Sequence, residues 1–562
     1  MMQPAATAPV DSAAAVSSWD DAADVVVVGS GSAGLCAALT AAAGGARVMV
    51  LEKSPLLGGT SAMSGAGTWV PANHHMLAAG MADSKDAALT YLRATAPPGW
   101  QQEEDALWAA FVEAAPSMLA FLEAQTPLRF ELVHHPDLYV EAPGGRLSDR
   151  MVSPRALSRR LAGPWRRRIR GSTLPQIFTY RELVVGTVFT QPVRTALRMA
   201  PTLLHRLLTA GVGMGNALIV GLLKGCLDLG CEVVAEAPVR RLLTDEMEGA
   251  GRVIGVEVES GGRRRRIRAA KGVVLATGGF EWNATLLAEH FPGEVGLIGS
   301  PRSNTGDGQR LAAAVGAQLA RMDQANIYPV LPTTYEGRRH ALPLTVLYHP
   351  HCILVNRQGR RFVNEGSPNV GAVLDERDPA TGLPVHLPAW QIFDARYARH
   401  NRLIMRYGRR DPGWFQRAGS LAGLAGRIDL DPAALEETVA RFNGLVRDGV
   451  DADFHRGETA WEKFHTGDPA CPHGNGALGT IAEPPFYAAP YRRAILGTKG
   501  GARTNAEGRV LRPDGSRIAG LYCAGLAMAN PIGTKAVGAG TTIGPCLTWG
   551  YICGRNVLRD NA

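Results

Sequence analysis

The sequence lacks the cysteine and histidine patterns that hold zinc or iron–sulfur clusters. Its eight cysteines, spread over 562 residues, include no CxxC pair, and most stand among apolar neighbours. We therefore expect buried thiols, no metal site and a reducing, cytoplasmic location. The first twenty residues have neither a basic start nor a hydrophobic core. Residues 1–20 are accordingly predicted to form a disordered tail and not a signal peptide.

The sequence also lacks the features of a nucleic-acid-binding protein. Its net charge of +8 is concentrated in arginine runs at 166–168 and 263–266, which have no interleaved aromatic residues and no accompanying binding motif. Such runs are typical of a solvated surface, or of a surface that meets anionic lipid or an acidic partner. Nucleic acid is therefore not expected among the partners.

No segment is predicted to cross a membrane. The uncharged stretches 25–46 and 207–223 carry glycines that suit a strand–turn–helix and close helix packing. Segment 177–208 mixes apolar residues with four arginines. This mixture predicts an amphipathic helix, which is either structural or rests on a membrane surface, so peripheral membrane contact stays open.

The most informative stretch begins with Val25–Val28, a β-branched run typical of a buried parallel strand. It is followed by Gly29-Ser-Gly-Ser-Ala-Gly34, a helix pattern over 35–43, a strand pattern over 47–51, and Glu52. In this context the GxGxxG motif is a nucleotide-binding fingerprint. The glycines let the backbone approach a pyrophosphate, the helix N-terminus supplies N–H groups, and the acidic side chain accepts hydrogen bonds from ribose hydroxyls.

Three further segments favour FAD over NAD. Gly58–Gly67 places small residues and hydroxyls where a flavin ring must be approached closely, and Ala276-Thr-Gly278 repeats this after a predicted strand. Gly540–Gly544 precedes an apolar run and predicts a helix N-terminus that stabilises negative charge on a reduced flavin. No second complete nucleotide fingerprint is visible, so we expect electrons to leave for a quinone or a similar acceptor.

The predicted cofactor-binding residues lie in these segments or on the strands beside them. They are Gly29, Ser30, Gly31, Ala33, Gly34, Glu52, Lys53, Gly59, Thr60, Ser61, Gly65, Val239, Thr277, Gly278, Gly525, Thr542 and Ile543.

The motifs fall in two parts of the chain, separated by a stretch of different texture. Residues 21–324 and 494–562 predict an α/β, Rossmann-like FAD-binding domain. Residues 325–493 predict a smaller α+β substrate domain, a cap inserted into the first. Within these domains we predict a helix over 307–319, strands over 353–356 and 361–364, and a helix over 432–442.

Further motifs resemble those of the fumarate reductase and 3-ketosteroid dehydrogenase flavoprotein superfamily, over nearly the whole chain from about residue 24. The shared motifs are Glu52-Lys53, Gly58–Gly65, Ala276–Gly279, Asn304–Gly308 and Asn356–Glu365, and those closest to the ketosteroid branch are Glu141–Gly145, Pro485–Tyr487, Gly497–Gly501 and Gly540–Pro545. The resemblance implies a bilobal flavin domain interrupted by a substrate domain, with the active site between them. No histidine lies just before Thr60, where relatives with a covalently linked flavin carry one, so the resemblance implies non-covalent FAD.

Two positions depart from the pattern of the ketosteroid dehydrogenases. In that family a tyrosine that serves in proton abstraction follows the Asn-Glu pair by four residues, and soluble fumarate reductases have a proton-delivering arginine there. This chain has Asn369. A second family tyrosine, which helps bind the ketone oxygen, is replaced by Ala536. Neither side chain exchanges a proton at physiological pH.

The catalytic candidates are therefore other groups. Tyr139 precedes the Glu141–Gly145 motif, where relatives place an active-site tyrosine, and Tyr348 lies beside His349 at the start of a predicted strand. Either tyrosine is a candidate base. The backbone N–H of Gly540 is the family donor that remains for a developing enolate oxygen.

These features predict a FAD-dependent enzyme that introduces a carbon–carbon double bond beside the carbonyl of a cyclic ketone, by α-proton abstraction and hydride transfer to flavin N5. The substrate is expected to be an apolar ring ketone, either a 3-oxosteroid or a cyclohexanone-type ring. The first alternative is a fumarate-reductase-like enoate reductase that runs the reverse reaction. The second is a flavoprotein that carries electrons or docks on a membrane without turning over a small molecule.

Overall fold

The structure, a computed structural model, describes residues 18–148, 150–185, 192–245, 251–343, 349–465 and 475–559. Residues 1–17 of the predicted tail lie outside these ranges, as does the candidate base Tyr348.

The strands of the described residues are β1 (Asp21–Val28), β2 (Val48–Leu51), β3 (Thr68–Trp69), β4 (Phe130–Leu132), β5 (Met151–Pro154), β6 (Leu157–Ser158), β7 (Gly211–Val212), β8 (Glu232–Val234), β9 (Val239–Thr244), β10 (Val253–Ser260), β11 (Arg263–Leu275), β12 (Leu319–Ala320), β13 (Ala325–Ile327), β14 (Leu331–Tyr335), β15 (Arg338–Leu342), β16 (Cys352–Val355), β17 (Ala389–Phe393), β18 (Gln416–Ala418), β19 (Phe486–Tyr491), β20 (Ile495–Thr498), β21 (Gly501–Ala502), β22 (Arg509–Leu511) and β23 (Arg517–Cys523).

The α-helices are α1 (Ser32–Ala43), α2 (Gly59–Met63), α3 (His74–Ala78), α4 (Lys85–Thr95), α5 (Gln101–Gln125), α6 (Tyr180–Val185), α7 (Pro192–Thr209), α8 (Met214–Asp228), α9 (Ala284–His290), α10 (Asp307–Ala314), α11 (Val370–Leu374), α12 (Ala395–His400), α13 (Arg402–Gly408), α14 (Leu421–Arg427), α15 (Pro432–Asp448), α16 (Ala460–His465) and α17 (Ile543–Arg559). Short 3₁₀ turns cover Arg159–Arg167 and Gly525–Ala527.

The main sheet runs in the order β22-β23-β11-β1-β2-β8. Strands β23, β11, β1, β2 and β8 are parallel, and β22 is antiparallel at the edge. The Val25–Val28 run of β1 is buried because helices cover both faces of a parallel sheet. Since the strands are parallel, the loops that follow them meet along one edge. The chain segments on either side of the insertion therefore build one Rossmann-like domain, which confirms the predicted fold class.

Helix α1 packs against α17, although the end of α1 at Ala43 and the start of α17 at Ile543 are 500 positions apart in the sequence. An added Cβ at Gly550 of α17 would overlap the carbonyl of Ala33, and one at Gly554 would stand 2.6 Å from the carbonyl oxygen of Ala37. Glycine is required here for the two backbones to approach so closely. This contact joins the first nucleotide-binding helix to the last helix of the chain.

A second, four-stranded sheet belongs to the inserted region. Its order is β16-β17-β19-β18, and all neighbouring strands are antiparallel. Helices α14 and α15 cover it through buried aliphatic side chains such as Leu424 and Leu435. Strands β13 and β20, which pair with each other, lie at the two ends of the insertion. The structure thus has the smaller α+β domain expected from the sequence, and the exact domain limits stay a prediction.

Two predicted elements are wrong at the level of residues. The helix predicted over 307–319 ends at Ala314, because the chain turns at Gly316 with a φ of +83° and continues into β12. The strand predicted over 361–364 is reduced to an isolated bridge between Arg361 and Val355. The segment bends there because the guanidinium of Arg361 turns inward to buried carboxylates.

Among the described residues, α5 has the length and composition to cross a membrane. Its apolar side chains, including Leu107, Trp108 and Phe111, are buried against the rest of the protein. The apolar character of α5 is therefore accounted for by the core.

Candidate functional site

Loops after three neighbouring strands meet at the carboxyl edge of the main sheet. Gly29 follows β1, Ala276 follows β11 and Gly525 opens the turn after β23. An added Cβ at Gly29 would overlap the carbonyl of Ala276, and one at Gly525 would stand 3.0 Å from the Cβ of Ala33. Both glycines have positive φ, +108° and +72°. These close approaches bring together residues that the sequence assigned separately to the cofactor.

The N-terminus of α1 keeps backbone donors without partners. The N–H of Ser32 donates to Ser61 Oγ at 3.2 Å. The N–H groups of Gly31, Ala33 and Gly34 have no hydrogen-bond acceptor in the described ranges. An added Cβ at Gly31 would meet only Ser61 Oγ, 3.8 Å away, so there is space in front of these donors. Free donors at a helix N-terminus with room beside them fit a pyrophosphate.

Glu52 lies at the end of the next strand, β2, where its carboxylate is held in place. Oε2 accepts from Ser30 Oγ at 2.7 Å and from the Ser30 N–H at 3.1 Å, and Oε1 accepts from the Ser54 N–H at 2.9 Å. A carboxylate has about four lone-pair positions, so acceptor capacity remains for a ribose hydroxyl. Val239, at the start of β9, is buried. It lies near Glu52 in the fold, since the N–H of Ala237, two residues earlier, donates to the Glu52 carbonyl at 2.9 Å.

Lys53 makes its contacts within the chain. Its ammonium binds the carboxylate of Asp307 and donates to Thr305 Oγ1 at 2.7 Å. Burial alone would raise the pKa of Asp307, but its contacts with Lys53, Arg310 and Thr305 together lower it below its ordinary value. Lys53 therefore ties the end of β2 to the start of α10.

The predicted hydroxyl residues Thr60 and Ser61 lie on α2. The amide of Asn304 donates to Thr60 Oγ1 at 2.9 Å and to Glu281 Oε1 at 2.7 Å. The other oxygen of Glu281 accepts from the N–H and the hydroxyl of Thr498, at 3.1 and 3.0 Å. Sequence reasoning missed the buried Glu281 and the role of Thr498. The signal for this connection lay in Asn304 and Thr498, which belong to two of the motifs shared with the flavoprotein superfamily.

The glycines at the start of α2 and after its end serve two different purposes. An added Cβ at Gly65 would overlap the ring of Tyr180, and one at Gly67 would stand 3.4 Å from the same ring. The space beside Gly65 is therefore filled by the ring of Tyr180, a contact that the sequence did not reveal. An added Cβ at Gly59, in contrast, would reach only the Cα of Gly31 at 4.0 Å. The space beside α1 therefore continues between Gly31 and Gly59.

Thr277 and Gly278 shape the loop after β11. Thr277 Oγ1 accepts from the N–H of Gly308 at 3.0 Å. Gly278 has a φ of +82°, and an added Cβ there would stand 3.2 Å from Asn304 Oδ1. The loop is consequently fixed against α10 and against the Asn304 network.

Helix α17 begins at Ile543, where the sequence predicted a second helix N-terminus. Gly540 has a φ of +92°, its carbonyl accepts from the Trp69 N–H at 3.3 Å, and an added Cβ would stand 2.6 Å from the Gly67 carbonyl oxygen. The N–H groups of Gly540, Thr542 and Ile543 have no acceptor within the part of the chain that is described. Gly540 is thus fixed in position while its donor stays available.

These features test whether the site fits FAD. The three unpaired donors of α1 fit the pyrophosphate, Glu52 fits the ribose, and the donors before α17 fit the electron-rich end of an isoalloxazine ring. The residues present therefore fit the cofactor that the sequence predicted.

Tyr139, Asn369 and Ala536 converge beside the Gly540 loop. The Asn369 amide nitrogen donates to the Tyr139 hydroxyl at 2.7 Å and to the Ala536 carbonyl at 2.7 Å. The Ala536 N–H donates to Asn369 Oδ1 at 3.0 Å. Because a backbone N–H can only donate, the atom that faces it must be the amide oxygen, and this fixes the orientation of the Asn369 amide. The two positions that depart from the family pattern thus contact each other and the candidate base.

The Tyr139 hydroxyl is an acceptor in this arrangement, and its own proton has no acceptor among the described residues. Burial raises the pKa of Tyr139 and the hydrogen bond from Asn369 lowers it by less, so that the resulting pKa is about 12. The ammonium of Lys535 lies 4.8 Å from the centre of the ring. Burial also lowers the pKa of Lys535. Both neighbours favour the phenolate, while burial favours the neutral phenol.

A buried ion-pair group lies beneath the Tyr139 loop. Arg150 Nη1 binds Asp137 Oδ2 at 2.9 Å and Arg150 Nη2 binds Asp83 Oδ1 at 2.8 Å, while Trp69 Nε1 donates to Asp137 Oδ1 at 2.8 Å. Burial raises the pKa of Asp137 to about 6, although Arg150 lowers it. Sequence reasoning missed this group, because its members are far apart in the chain. It fixes the segment that carries Tyr139.

Asn369 is held by a second buried network. Arg361 and Arg456 both bind Glu365, at 2.8 and 3.1 Å, and Arg361 also binds Asp451 at 2.6 Å. Burial would raise the pKa of the fully buried Glu365, but the two guanidiniums lower it by more. Glu365 precedes Asn369 by four residues. The Asn-Glu motif thus anchors the segment from which the Asn369 side chain reaches the neighbouring domain.

The second candidate base, Tyr348, lies outside the described residues. Its neighbour His349 contacts Asn401 Oδ1 through Nδ1 at 2.6 Å, and burial lowers the pKa of His349 to about 4. His351 contacts the Thr480 carbonyl at 2.8 Å. Both histidines therefore make contacts inside the inserted domain.

Trp100 and Trp108, two aromatic residues at and near the start of α5, have structural contacts. Trp108 Nε1 donates to the Pro531 carbonyl at 2.8 Å. The ring of Trp100 limits the space at Gly533, where an added Cβ would overlap it, and the guanidinium of Arg321 lies 3.8 Å from the Trp100 ring centre. These tryptophans support the loop that leads to Gly540.

His74, His75 and Glu123 form the one described group with the spacing of metal ligands. Glu123 contacts His74 Nε2 at 2.7 Å and His75 Nε2 at 3.1 Å, and it also accepts from the Phe130 N–H at 2.7 Å. These hydrogen bonds account for the arrangement without an ion.

Comparisons with known proteins show the family to which the chain belongs. The model of the FAD binding domain family matches residues 24–543. The chain is 38% identical over 554 residues to 4-oxocyclohexanecarboxylate 2-dehydrogenase of Sinomonas cyclohexanicum, covering 96% of this chain and 93% of that protein. It is 36% identical over 572 residues to 3-oxosteroid 1-dehydrogenase of Mycobacterium tuberculosis, covering 95% and 98%.

The chain is also similar to a solved structure of a ketosteroid dehydrogenase. It is the crystal structure of 3-ketosteroid delta1-dehydrogenase from Sterolibacterium denitrificans in complex with 1,4-androstadiene-3,17-dione. The TM-score is 0.85 and the identity 31%, over 96% of this chain and 100% of that one. The chain therefore belongs to the FAD binding domain family, in the group that includes the 3-oxosteroid 1-dehydrogenases and 4-oxocyclohexanecarboxylate 2-dehydrogenase.

Proposed function

We propose that the protein is a FAD-dependent dehydrogenase that introduces a carbon–carbon double bond beside the carbonyl of a cyclic ketone, of the 3-oxosteroid or cyclohexanone type. The observation that carries the proposal is the 2.7 Å hydrogen bond from Asn369 to the Tyr139 hydroxyl, next to the free N–H of Gly540. One group is set to take a proton and the other to stabilise an oxyanion. The names of the relatives support the same reaction class.

Tyr139 acts as the base that removes the α-proton. A phenol with a pKa of about 12 is almost entirely protonated at neutral pH, so Tyr139 has to lose its own proton to solvent before its phenolate takes the α-proton, and groups that stabilise the phenolate increase the reactive fraction. The Asn369 amide supplies one hydrogen bond, and the Lys535 ammonium supplies positive charge over the ring. Asn369 has no proton to exchange and therefore serves as a positioning residue for Tyr139.

Gly540 stabilises the ketone oxygen as it becomes an enolate. Its N–H is fixed by the contacts of its residue with Gly67 and Trp69, so it needs no reorganisation during the reaction. One preorganised donor of this kind contributes about 3–4 kcal/mol to the transition state. FAD, held without a covalent bond, would supply the acceptor for the hydride that leaves the β-carbon.

A quinone or a similar small oxidant is proposed as the electron acceptor, because the sequence has a single nucleotide fingerprint and no site for NAD is evident. A reducing, cytoplasmic location is proposed because the seven described cysteines are buried free thiols.

The test is turnover of a ketone panel by purified holoenzyme, with an artificial electron acceptor and mass spectrometry of the product. The panel contains a 3-oxosteroid, cyclohexanone and 4-oxocyclohexanecarboxylate. We expect at least one of these ketones to lose two mass units, and the panel member that reacts identifies the ring system. Tyr139→Phe should slow this reaction by about 100-fold or more, in line with loss of a general base. Tyr335→Phe, a tyrosine whose hydroxyl donates to the Gly171 carbonyl, is the matched control.

An enoate reductase is the alternative reaction on the same fold. It needs a proton donor where this chain has the neutral Asn369. Reduction of fumarate or another enoate by the reduced enzyme, with no dehydrogenation of any ketone in the panel, would replace the proposed direction with this one.

A further inference from the structure

Helix α7 presents an apolar face to solvent. Its large exposed side chains are Val193, Leu197, Leu204, Leu207 and Leu208, each 57–73% exposed. We call these five residues the α7 apolar face. They account for five of the eleven large hydrophobic side chains that are exposed in the described residues, so the exposure is concentrated in one helix of 18 residues.

The orientation of α7 follows from its helical spacing. Val193, Leu197, Leu204 and Leu208 are separated by 4, 7 and 4 positions, which places them on one side of an α-helix. The buried residues of α7, Thr195 and Arg206, lie on the other side. Arg206 attaches the helix to the protein by binding Glu182 at 2.7 Å. The apolar face is therefore turned away from the protein, opposite to the usual arrangement of a surface helix.

A basic cavity lies beside the C-terminal end of α7. It has a volume of about 320 Å³ and is lined by Arg159, Arg160, Arg166, Arg167 and Ala210. We call it the arginine cavity. None of these four arginines has a carboxylate partner within the described ranges. The guanidiniums of Arg159 and Arg160 donate to Asn216 Oδ1 and to the Leu208 carbonyl, while Arg166 and Arg167 are exposed. Four arginines without acidic partners around one cavity favour an anion there, with Arg166 and Arg167 as its main donors.

The arginine cavity and the α7 apolar face belong to one surface. Arg160 donates to the Leu208 carbonyl at 3.0 Å, and the Arg159 N–H donates to the Ala210 carbonyl at 2.8 Å. The Ser158 hydroxyl also donates to the Thr209 carbonyl at 2.6 Å. Three hydrogen bonds thus fix the arginines directly beside the end of the helix.

The geometry points to a docking surface for an anionic lipid bilayer, with α7 lying in the plane of the interface. The α7 apolar face would enter the boundary between headgroups and acyl chains, while the arginine cavity receives a phosphate headgroup. Charge complementarity decides between occupants, because a second copy of this chain would bring the same four arginines to the contact and repel the first. The docking surface is independent of the ketone chemistry proposed above.

The test is co-sedimentation of full-length holoenzyme with vesicles of phosphatidylcholine alone and with 30% phosphatidylglycerol, at about 0.05 and 0.5 M salt. We expect tight binding to the anionic vesicles at low salt and at least about tenfold weaker binding to neutral ones. The double variant Leu197→Glu/Leu204→Glu should abolish binding, and Arg166→Glu/Arg167→Glu should weaken it by at least about tenfold. Both variants should keep their flavin and their turnover of a water-soluble ketone.

Two matched controls carry the same substitutions elsewhere on the surface. Leu77→Glu/Leu383→Glu changes two exposed leucines, and Arg409→Glu/Arg410→Glu changes an adjacent, exposed arginine pair. Both should bind like the unmodified protein. The proposal is overturned if the unmodified protein stays in the supernatant, if neutral vesicles bind it equally well, or if the controls lose binding as much as the α7 variants. It is also overturned if the unmodified protein is a dimer that Leu197→Glu/Leu204→Glu converts to a monomer, because the face is then a contact between copies.

Discussion

Asn369 and Tyr139 come from different domains and are joined by a 2.7 Å hydrogen bond. The donor is the Asn369 amide, whose orientation is set by the Ala536 N–H. The position where the resemblance to ketosteroid dehydrogenases implies a proton-exchanging tyrosine is therefore occupied by a neutral side chain that donates a hydrogen bond to another tyrosine. The loss of a family residue and the presence of Tyr139 are two parts of one arrangement.

Removing the Asn369 amide should weaken the candidate base. Asn369→Ala takes away the hydrogen bond that stabilises the Tyr139 phenolate, and a hydrogen bond to a charged group is worth about 1.5–3 kcal/mol. We expect flavin reduction by a ring ketone to slow by about 10- to 150-fold with FAD content unchanged. Stopped-flow absorbance measures the rate. Asn326→Ala, which removes an asparagine without a described side-chain hydrogen bond, should leave it unchanged; an equal slowing in both variants would contradict the role of Asn369.

The rate of flavin reduction should depend on pH through Tyr139. Because burial raises the pKa of Tyr139 to about 12, the phenolate fraction grows about tenfold for each pH unit across the neutral range. We expect the rate constant to rise between pH 7 and 10 without reaching a plateau. The Tyr139→Phe variant should lose this rise. A plateau near pH 7 in the unmodified protein would show that another group is the base.

Cofactor retention should depend on the space beside Gly31. Gly31→Val introduces a side chain into the space in front of the α1 donors, where an added Cβ meets only Ser61 Oγ at 3.8 Å. The fold should therefore tolerate the change while FAD is lost, which absorbance at 450 nm and circular dichroism report separately. Gly171→Val, at a glycine with nothing within 4 Å of an added Cβ, is the matched control and should stay yellow. Full FAD occupancy in Gly31→Val would refute the pyrophosphate assignment.

The inserted domain should depend on the buried Glu365 for stability. Glu365→Gln removes the buried carboxylate that Arg361 and Arg456 share, although Arg361 keeps Asp451, and breaking a buried ion pair in this way costs about 3–5 kcal/mol. Thermal unfolding monitored by circular dichroism should show a lower transition temperature. The arginines hold the pKa of Glu365 below its usual value of 4.5, so its contribution to stability is complete above that pH. The contribution is lost as the pH falls through the lower, folded-state pKa, and Glu365→Gln should remove this part of the acid sensitivity. An acid unfolding transition that is identical in the unmodified protein and in Glu365→Gln would contradict this role of Glu365.

Much of the fold could be predicted because its signals are local. The run Val25–Val28, the glycines after it and Glu52 specify a strand, a turn and a helix within about 30 residues, and each of these elements is present. The N-terminus of α17 was also visible, since Gly540–Gly544 precedes a long apolar run. The end of α10 and the segment after Arg361 were not, because a turn at Gly316 and a buried ion-pair network override local propensity there.

The catalytic arrangement was only partly visible, because it depends on contacts between distant segments. Tyr139 and Gly540 could be chosen from motifs, and Asn369 and Ala536 could be identified as departures. The contacts of Asn369 with Tyr139 and Ala536 could not be predicted, because they depend on how the inserted domain packs against the first domain. Nothing local could have placed Glu281, or the pair Asp137 and Arg150, in a buried network.

Anaerobic mixing of the oxidised holoenzyme with a saturated ring ketone in a stopped-flow spectrophotometer tests the central claim most directly. We expect the flavin absorbance near 450 nm to bleach in a concentration-dependent single phase, which becomes much slower in Tyr139→Phe. If no ketone of the panel bleaches the flavin, while dithionite-reduced enzyme is reoxidised by an enoate, the proposed dehydrogenation is wrong.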